Sequence, residues 1–114
     1  MDKQRKKELL QQYKEQPLSG GAYMITNTAT GKKMLVCETN LRGSKQRFDF
    51  ARQTKTNLSW RLQKDWEQYG PEVFTFTLLE EIEMQPTQTK EDFAKDLELL
   101  HEIWLEKLSG EDLY

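Results

Sequence analysis

The chain has 114 residues, 36% of them hydrophobic and 32% charged, which suits one small globular domain with a modest core and leaves little room for a second. No stretch approaches the ~20 apolar residues of a membrane span, and the charged start MDKQRKKELLQQ lacks the apolar centre of a signal peptide, so the expected setting is cytoplasmic with no membrane partner. A single cysteine, Cys37, excludes a disulfide framework, and the net charge of −2 conceals an asymmetry: residues 1–31 carry +2, residues 32–64 carry +7 and residues 65–114 carry −11.

Residues 2–16 read as a polar helix with Leu9, Leu10 and Tyr13 as its apolar stripe, ended by Pro17 and the run Leu18-Ser19-Gly20-Gly21. Residues 22–27, AYMITN, and 33–38, KMLVCE, are rich in β-formers. A Gly-containing turn joins them into a hairpin. Residues 41–53 carry Leu41, Phe48 and Ala51 among basic positions, the pattern of a basic amphipathic helix weakened by Gly43. Thr56 or Asn57 suits an N-cap, and Leu58, Leu62, Trp66 and Tyr69 then fall on one helical face until Gly70-Pro71 stops it. Residues 73–79, VFTFTLL, alternate as a third strand with Phe74, Phe76 and Leu78 on one face, followed by an acidic loop over 80–86. Thr89 and Asp92 have the spacing of a capping box, opening a helix with the stripe Phe93, Leu97, Leu100, Trp104 and Leu108. Ser109-Gly110 ends it, and the tail EDLY is expected to fray.

The chemistry of several common sites is excluded by residue supply. One His and one Cys cannot build a common zinc site, and they offer little basis for a nucleophilic triad. No phosphate-binding glycine loop of the Walker or dinucleotide type occurs, and Gly20-Gly21 is more simply the joint between the first helix and the first strand. The +7 segment is either an electrostatic footprint for phosphate or the ordinary solvation of helices.

What remains is an ordered set of residues: Gly21-Ala22-Tyr23 opening a strand, Asn27, Gly31 and Lys32 about a turn, Met34-Leu35-Val36 in the next strand, and Asn40-Leu41 before a basic helix. Leu62-Gln63-Lys64-Asp65-Trp66, Tyr69-Gly70, Phe74, Phe76 and Leu79-Glu80-Glu81-Ile82 follow, then Trp104 through Leu108. Over residues 20–108 this pattern resembles the GIY-YIG endonuclease family, in particular its small bacterial and phage homing-endonuclease members. The resemblance implies an α+β domain: a three-stranded, mostly antiparallel sheet flanked by helices. Residues 1–19 would form an N-terminal helical extension and 109–114 a tail. It also implies DNA as partner and metal-dependent phosphodiester cleavage, with Mg²⁺ as cofactor if the site is active and no small-molecule cofactor.

Carried over residue by residue, the match is patchy. Tyr23 stands at the first catalytic tyrosine, which makes it either a general base or a half-buried strand residue. The second tyrosine falls at Met34 and the closing glycine at Val36. Without a gap the catalytic arginine falls at Ser44. Arg47, nearly one turn later on the same face, and Arg42 are its alternatives, and a polar position nearby falls at Phe48. The metal-binding glutamate falls at His101, with Glu98 and Glu102 as neighbouring carboxylates. The phosphate-contacting set expected from the basic block is Lys32, Arg42, Lys45, Arg47 and Arg52. Two readings stay open: a divergent nuclease with weak or lost cleavage, or an inactive nucleic-acid-binding or protein-interaction module on the same fold.

Overall fold

A computed structural model describes Lys3 and residues 18–114; the helix expected over 2–16 lies, Lys3 apart, outside the described residues. The elements run β1 (Ser19–Asn27), β2 (Lys33–Glu38), α1 (Leu41–Thr54), α2 (Gln63–Tyr69), a 3-10 turn (Pro71–Val73), β3 (Phe74–Glu83) and α3 (Lys90–Lys107). The three strands form one antiparallel sheet in the order β2-β1-β3, which confirms the expected α+β class. Among the described residues no helix is long and apolar enough to cross a membrane.

Strand alternation sends successive side chains to opposite faces, and both faces of the sheet are covered. Tyr23 and Ile25 of β1, Met34 of β2 and Phe74 of β3 pack with Leu41, Phe48 and Ala51 of α1 and Trp66 of α2. Aromatic rings knit this layer. Tyr23 stacks on Phe76 at 4.5 Å between centroids, Phe48 meets Trp66 edge-on at 6.5 Å, and Trp66 lies 4.9 Å from Phe74. On the opposite face Ala22 and Leu35 pack with Phe93, Leu97 and Leu100 of α3. The α3 stripe and its capping box form as the sequence predicts, with the Thr89 side chain accepting from the Asp92 N–H and Asp92 accepting from the Thr89 N–H, each at 3.1 Å.

Four expectations are corrected. First, the acidic stretch 80–83 is strand, not loop. β1 pairs Tyr23 with Leu78 but Ala22 with Glu80, so Leu79 is the extra residue of a β-bulge. The bulge reverses the alternation. Phe74 and Phe76 point to the α1 side, while Ile82, at the same parity, joins Leu79 on the α3 side. Glu80 is satisfied by the Trp104 indole N–H at 3.0 Å. Second, the helix expected from residue 58 begins only at Gln63. Asn57 accepts from the Ser59 N–H at 3.2 Å in a local turn, and the side chain of Leu62 at the helix N-cap makes no cap bond. Third, the tail is docked. Leu113 bridges Lys33 in parallel, and the Tyr114 hydroxyl donates to Asp65 at 2.6 Å and accepts from the buried Asn27 amide at 3.2 Å. Fourth, Gly43 costs α1 little, because it sits in the first turn and donates its N–H to the Asn40 cap at 3.1 Å.

At the bulge, β1 and its neighbours approach too closely for any side chain. A Cβ on Gly21 would stand 2.0 Å from the Glu80 carbonyl oxygen, and one on Gly20 would stand 2.7 Å from that of Glu38. Both obstacles are backbone, so relief requires moving a strand. Gly21→Ala is therefore expected to destabilise the fold by about 2–3 kcal/mol or more, read as a lowered urea midpoint, whereas Gly31→Ala, which meets nothing within 4 Å, should cost only the strain of its left-handed φ.

Candidate functional site

Beneath the N-terminal half of α1, the sheet face of β1 and β2 forms the floor of a cleft of about 280 Å³. Ile25, Met34, Val36, Phe48 and Leu58 make it apolar, and Tyr23, Glu38, Ser44, Arg47, Ser59 and Arg61 supply its polar groups. Alternation explains the composition: Met34, Val36 and Glu38 are every second residue of β2 and so share this face. The loop after α1 closes the remaining side.

Glu38 is the centre of the polar set. One carboxylate oxygen accepts a hydrogen bond from the Tyr23 hydroxyl, and the other accepts from the Arg47 guanidinium at 2.5 Å. Tyr23 is only 5% exposed. Burial first, and the Glu38 carboxylate second, push its phenol well above the ordinary tyrosine range. The Ser44 hydroxyl and Arg47 oppose that shift only in part. Tyr23 thus holds its proton and spends it on Glu38. Ser44, 2% exposed, donates to the Asn40 carbonyl at 3.0 Å.

The fold has a counterpart among solved structures. The catalytic domain of the homing endonuclease I-TevI superposes with a TM-score of 0.51 over 82% of this chain and 96% of that one, at 18% sequence identity. The chain has the GIY-YIG fold. No family model matches the sequence, and no curated protein does.

The positions at which the sequence resemblance was incomplete lie in the core or on the cleft wall, His101 apart. Met34, Phe48 and Ser44 are each at most 5% exposed, and Val36 is half-buried on the cleft wall. Of the expected catalytic pair, Tyr23 and Arg47 do meet in one cleft, but through Glu38. The sequence reading passed over Glu38, although its parity with Met34 and Val36 was the signal that places it there.

The expected metal set is placed elsewhere. Glu98, His101 and Glu102 on α3 line a second, more open cavity with Cys37, Glu38, Thr39, Ala94 and Leu97. Among the described residues no three His, Cys, Asp or Glu side chains gather closely enough to hold a metal ion. A hard cation such as Mg²⁺ needs several converging oxygens, so the residues present do not fit it. Burial, with Glu80 as a lesser cause, pushes the nearby Cys37 thiol up to about 11, which makes it a poor ligand and nucleophile.

The expected phosphate contacts are also divided. At about 100° per residue, Arg47 projects from one flank of α1's buried face, and Lys45 and Arg52 from the other. Lys45 lies over the Phe48 and Phe76 rings and pairs with Asp49 at 2.7 Å, while Arg52 lies over Phe48. Arg42 is exposed at the helix start. Lys32 sits over the Tyr114 ring at 4.9 Å, at the far end of β2 from Glu38. The reading missed Arg61, which lines the cleft and donates to the Tyr114 main-chain oxygen at 2.8 Å.

Two hydrogen-bonded phenols, buried Tyr23 and half-buried Tyr114, set a pH dependence. Tyr114 is pushed up to about 12 by burial and then by its bond to Asp65, and Tyr23 is raised further. The unfolded chain releases these protons near pH 10. Their stabilisation is therefore complete below pH 10 and declines as pH rises, Tyr114's share vanishing through about pH 12. Absorbance titration at alkaline pH should show two late-ionising tyrosines, one removed by Tyr23→Phe and the other by Tyr114→Phe.

Proposed function

We propose that this domain binds DNA through its basic face and cleft, and that metal-dependent phosphodiester cleavage is lost or much weakened. The observation that carries this reading is the Tyr23–Glu38–Arg47 bridge. A general base must accept a proton, whereas the Tyr23 phenol is protonated and donates to a carboxylate. A phosphate clamp needs its guanidinium, whereas Arg47 is paired with that same carboxylate. The family's hydroxyl, glycine and cationic positions hold Met34, Val36 and Ser44, its metal-binding glutamate position holds His101, and among the described residues no carboxylate cluster stands in for it.

DNA binding is supported by charge and by fold. Among the described residues the ion pairs are Lys33–Glu111, Lys45–Asp49 and Arg47–Glu38, which leaves Arg42, Arg52, Lys55 and Lys64 exposed without a carboxylate partner. The homing endonuclease domain that shares the fold is described as catalytic, which makes a nucleic-acid substrate the natural first test.

The test is incubation of supercoiled plasmid with purified protein and Mg²⁺ or Mn²⁺, alongside a gel-retardation series over salt. The expected result is no nicking but retardation that weakens with salt. Arg42→Ala and Lys64→Ala should each reduce the salt slope by about 1 with little change in stability. Metal-dependent nicking abolished by Tyr23→Phe would overturn the loss of catalysis; absence of retardation at low salt would overturn DNA binding and leave a protein-interaction role.

A further inference from the structure

Trp60 is 81% exposed, in contrast to Trp66 at 4%. Tryptophan is ordinarily a largely buried residue, and nothing in the two core clusters uses Trp60. Its chain neighbours Leu58, Ser59 and Arg61 line the same cleft as Tyr23 and Arg47, so the turn that carries Trp60 forms part of the cleft's rim.

The rim is pre-ordered. The Ser59 N–H donates to the Asn57 side chain at 3.2 Å, and the Arg61 N–H to the Ser59 hydroxyl at 3.3 Å. The Leu62 N–H closes on the Ser59 carbonyl at 3.1 Å, and the fully buried Leu62 side chain anchors the turn in the core. Arg61 ties it to the main chain of Tyr114. A ring presented by a turn held in this way loses little conformational freedom on binding.

The surroundings select the ligand. From Phe50 to Lys64 there is no acidic residue, while Arg52, Lys55, Arg61 and Lys64 are basic. The window also contains a second exposed aromatic, Phe50 at 63%, one helical turn beyond Arg47 on α1. Exposed aromatic rings interleaved with cations, above a cleft with an apolar floor, match the needs of an unstacked nucleobase: a flat face to stack on and positive charge for the adjoining phosphate. A duplex keeps its base faces covered and cannot use such a ring unless a base is displaced. An acidic peptide would use the cations but has no general need of the indole.

We propose that Trp60 is a base-stacking side chain and that the domain prefers nucleic acid with unpaired bases, single-stranded or locally opened, over intact duplex. This rests on the nucleic-acid reading above and specifies its substrate class.

The experiment uses the full chain at low salt, titrated with fluorescein-labelled oligothymidylate and separately with its duplex with oligoadenylate, following anisotropy and tryptophan emission. Wild type should bind the single strand more tightly, with quenching of tryptophan emission. Trp60→Ala should weaken single-strand binding roughly 5- to 150-fold, abolish most of the quenching and leave the salt slope unchanged, and Trp60→Phe should restore much of the affinity. Equal single-strand affinity of wild type and Trp60→Ala would overturn the stacking role while leaving DNA binding intact. Wild-type binding to neither oligonucleotide would instead sink the broader reading. Self-association of the wild type that Trp60→Ala abolishes would assign the indole to a protein interface and overturn the proposal.

Discussion

Strand β1 has to serve two apolar layers at once, and most of the architecture follows from that demand. It lies between β2 and β3 and is covered on both faces, so consecutive residues enter different cores: Ala22 meets α3, Tyr23 meets α1 and the aromatic cluster. A strand in this position needs near-continuous burial, which Gly20 through Ile25 provide. At its start the backbones of β2 and β3 come so close that only glycine fits. The bulge at Leu79 is the complementary adjustment on β3. It lets one strand present Phe74 and Phe76 to one layer and Ile82 to the other, with its glutamates placed where solvent or the Trp104 indole receives them.

The same geometry brings the polar groups together. Glu38 ends β2 on the Tyr23 side of the sheet, where the first turns of α1 pass overhead. A carboxylate there has two good donors within reach, a phenol and a guanidinium, and it takes both. The pairing is partly exposed on the arginine side, so its net contribution to stability is modest, but its chemical consequence is large. The phenol is neutral, the cation is paired, and the polar groups of the cleft satisfy one another. Met34, Val36 and Phe48 line the same cleft with apolar side chains.

Positive charge is handled differently. The +7 block is one segment in sequence but several surfaces in space, because a helix distributes it around its axis. Lys45 and Arg52 cover aromatic rings on one flank of α1, Arg47 faces Glu38 on the other, and Lys32 is held near the docked tail. Among the described residues Arg42, Lys55 and Lys64 are exposed with no carboxylate partner, and the last two flank the turn that displays Trp60.

Wherever a residue's role depended on its own neighbours in the chain, the sequence alone determined it. The hairpin strands, α1, the capping box of α3 and the stop at Gly70-Pro71 all rest on local periodicity or local hydrogen bonding, and the order of these elements was enough to point to the fold. Tertiary structure decided whatever depended on partners far along the chain. Residues 80–83 look like an acidic loop until a bulge assigns Ile82 to the second core. EDLY looks frayed until Asp65, Asn27 and Lys33 receive it. The stripe from Leu58 has helical spacing, yet its first turn is not helical: Leu58 lines the cleft beside β1 and β2, and Arg61 bonds to the distant main chain of Tyr114. The site divides in the same way. Tyr23 and Arg47 could be named from a pattern, but Glu38 acquires its meaning only when strand pairing and helix packing bring groups fifteen and nine residues away onto its two oxygens, because charge and hydrogen bonding act through space and the order of residues does not record those distances.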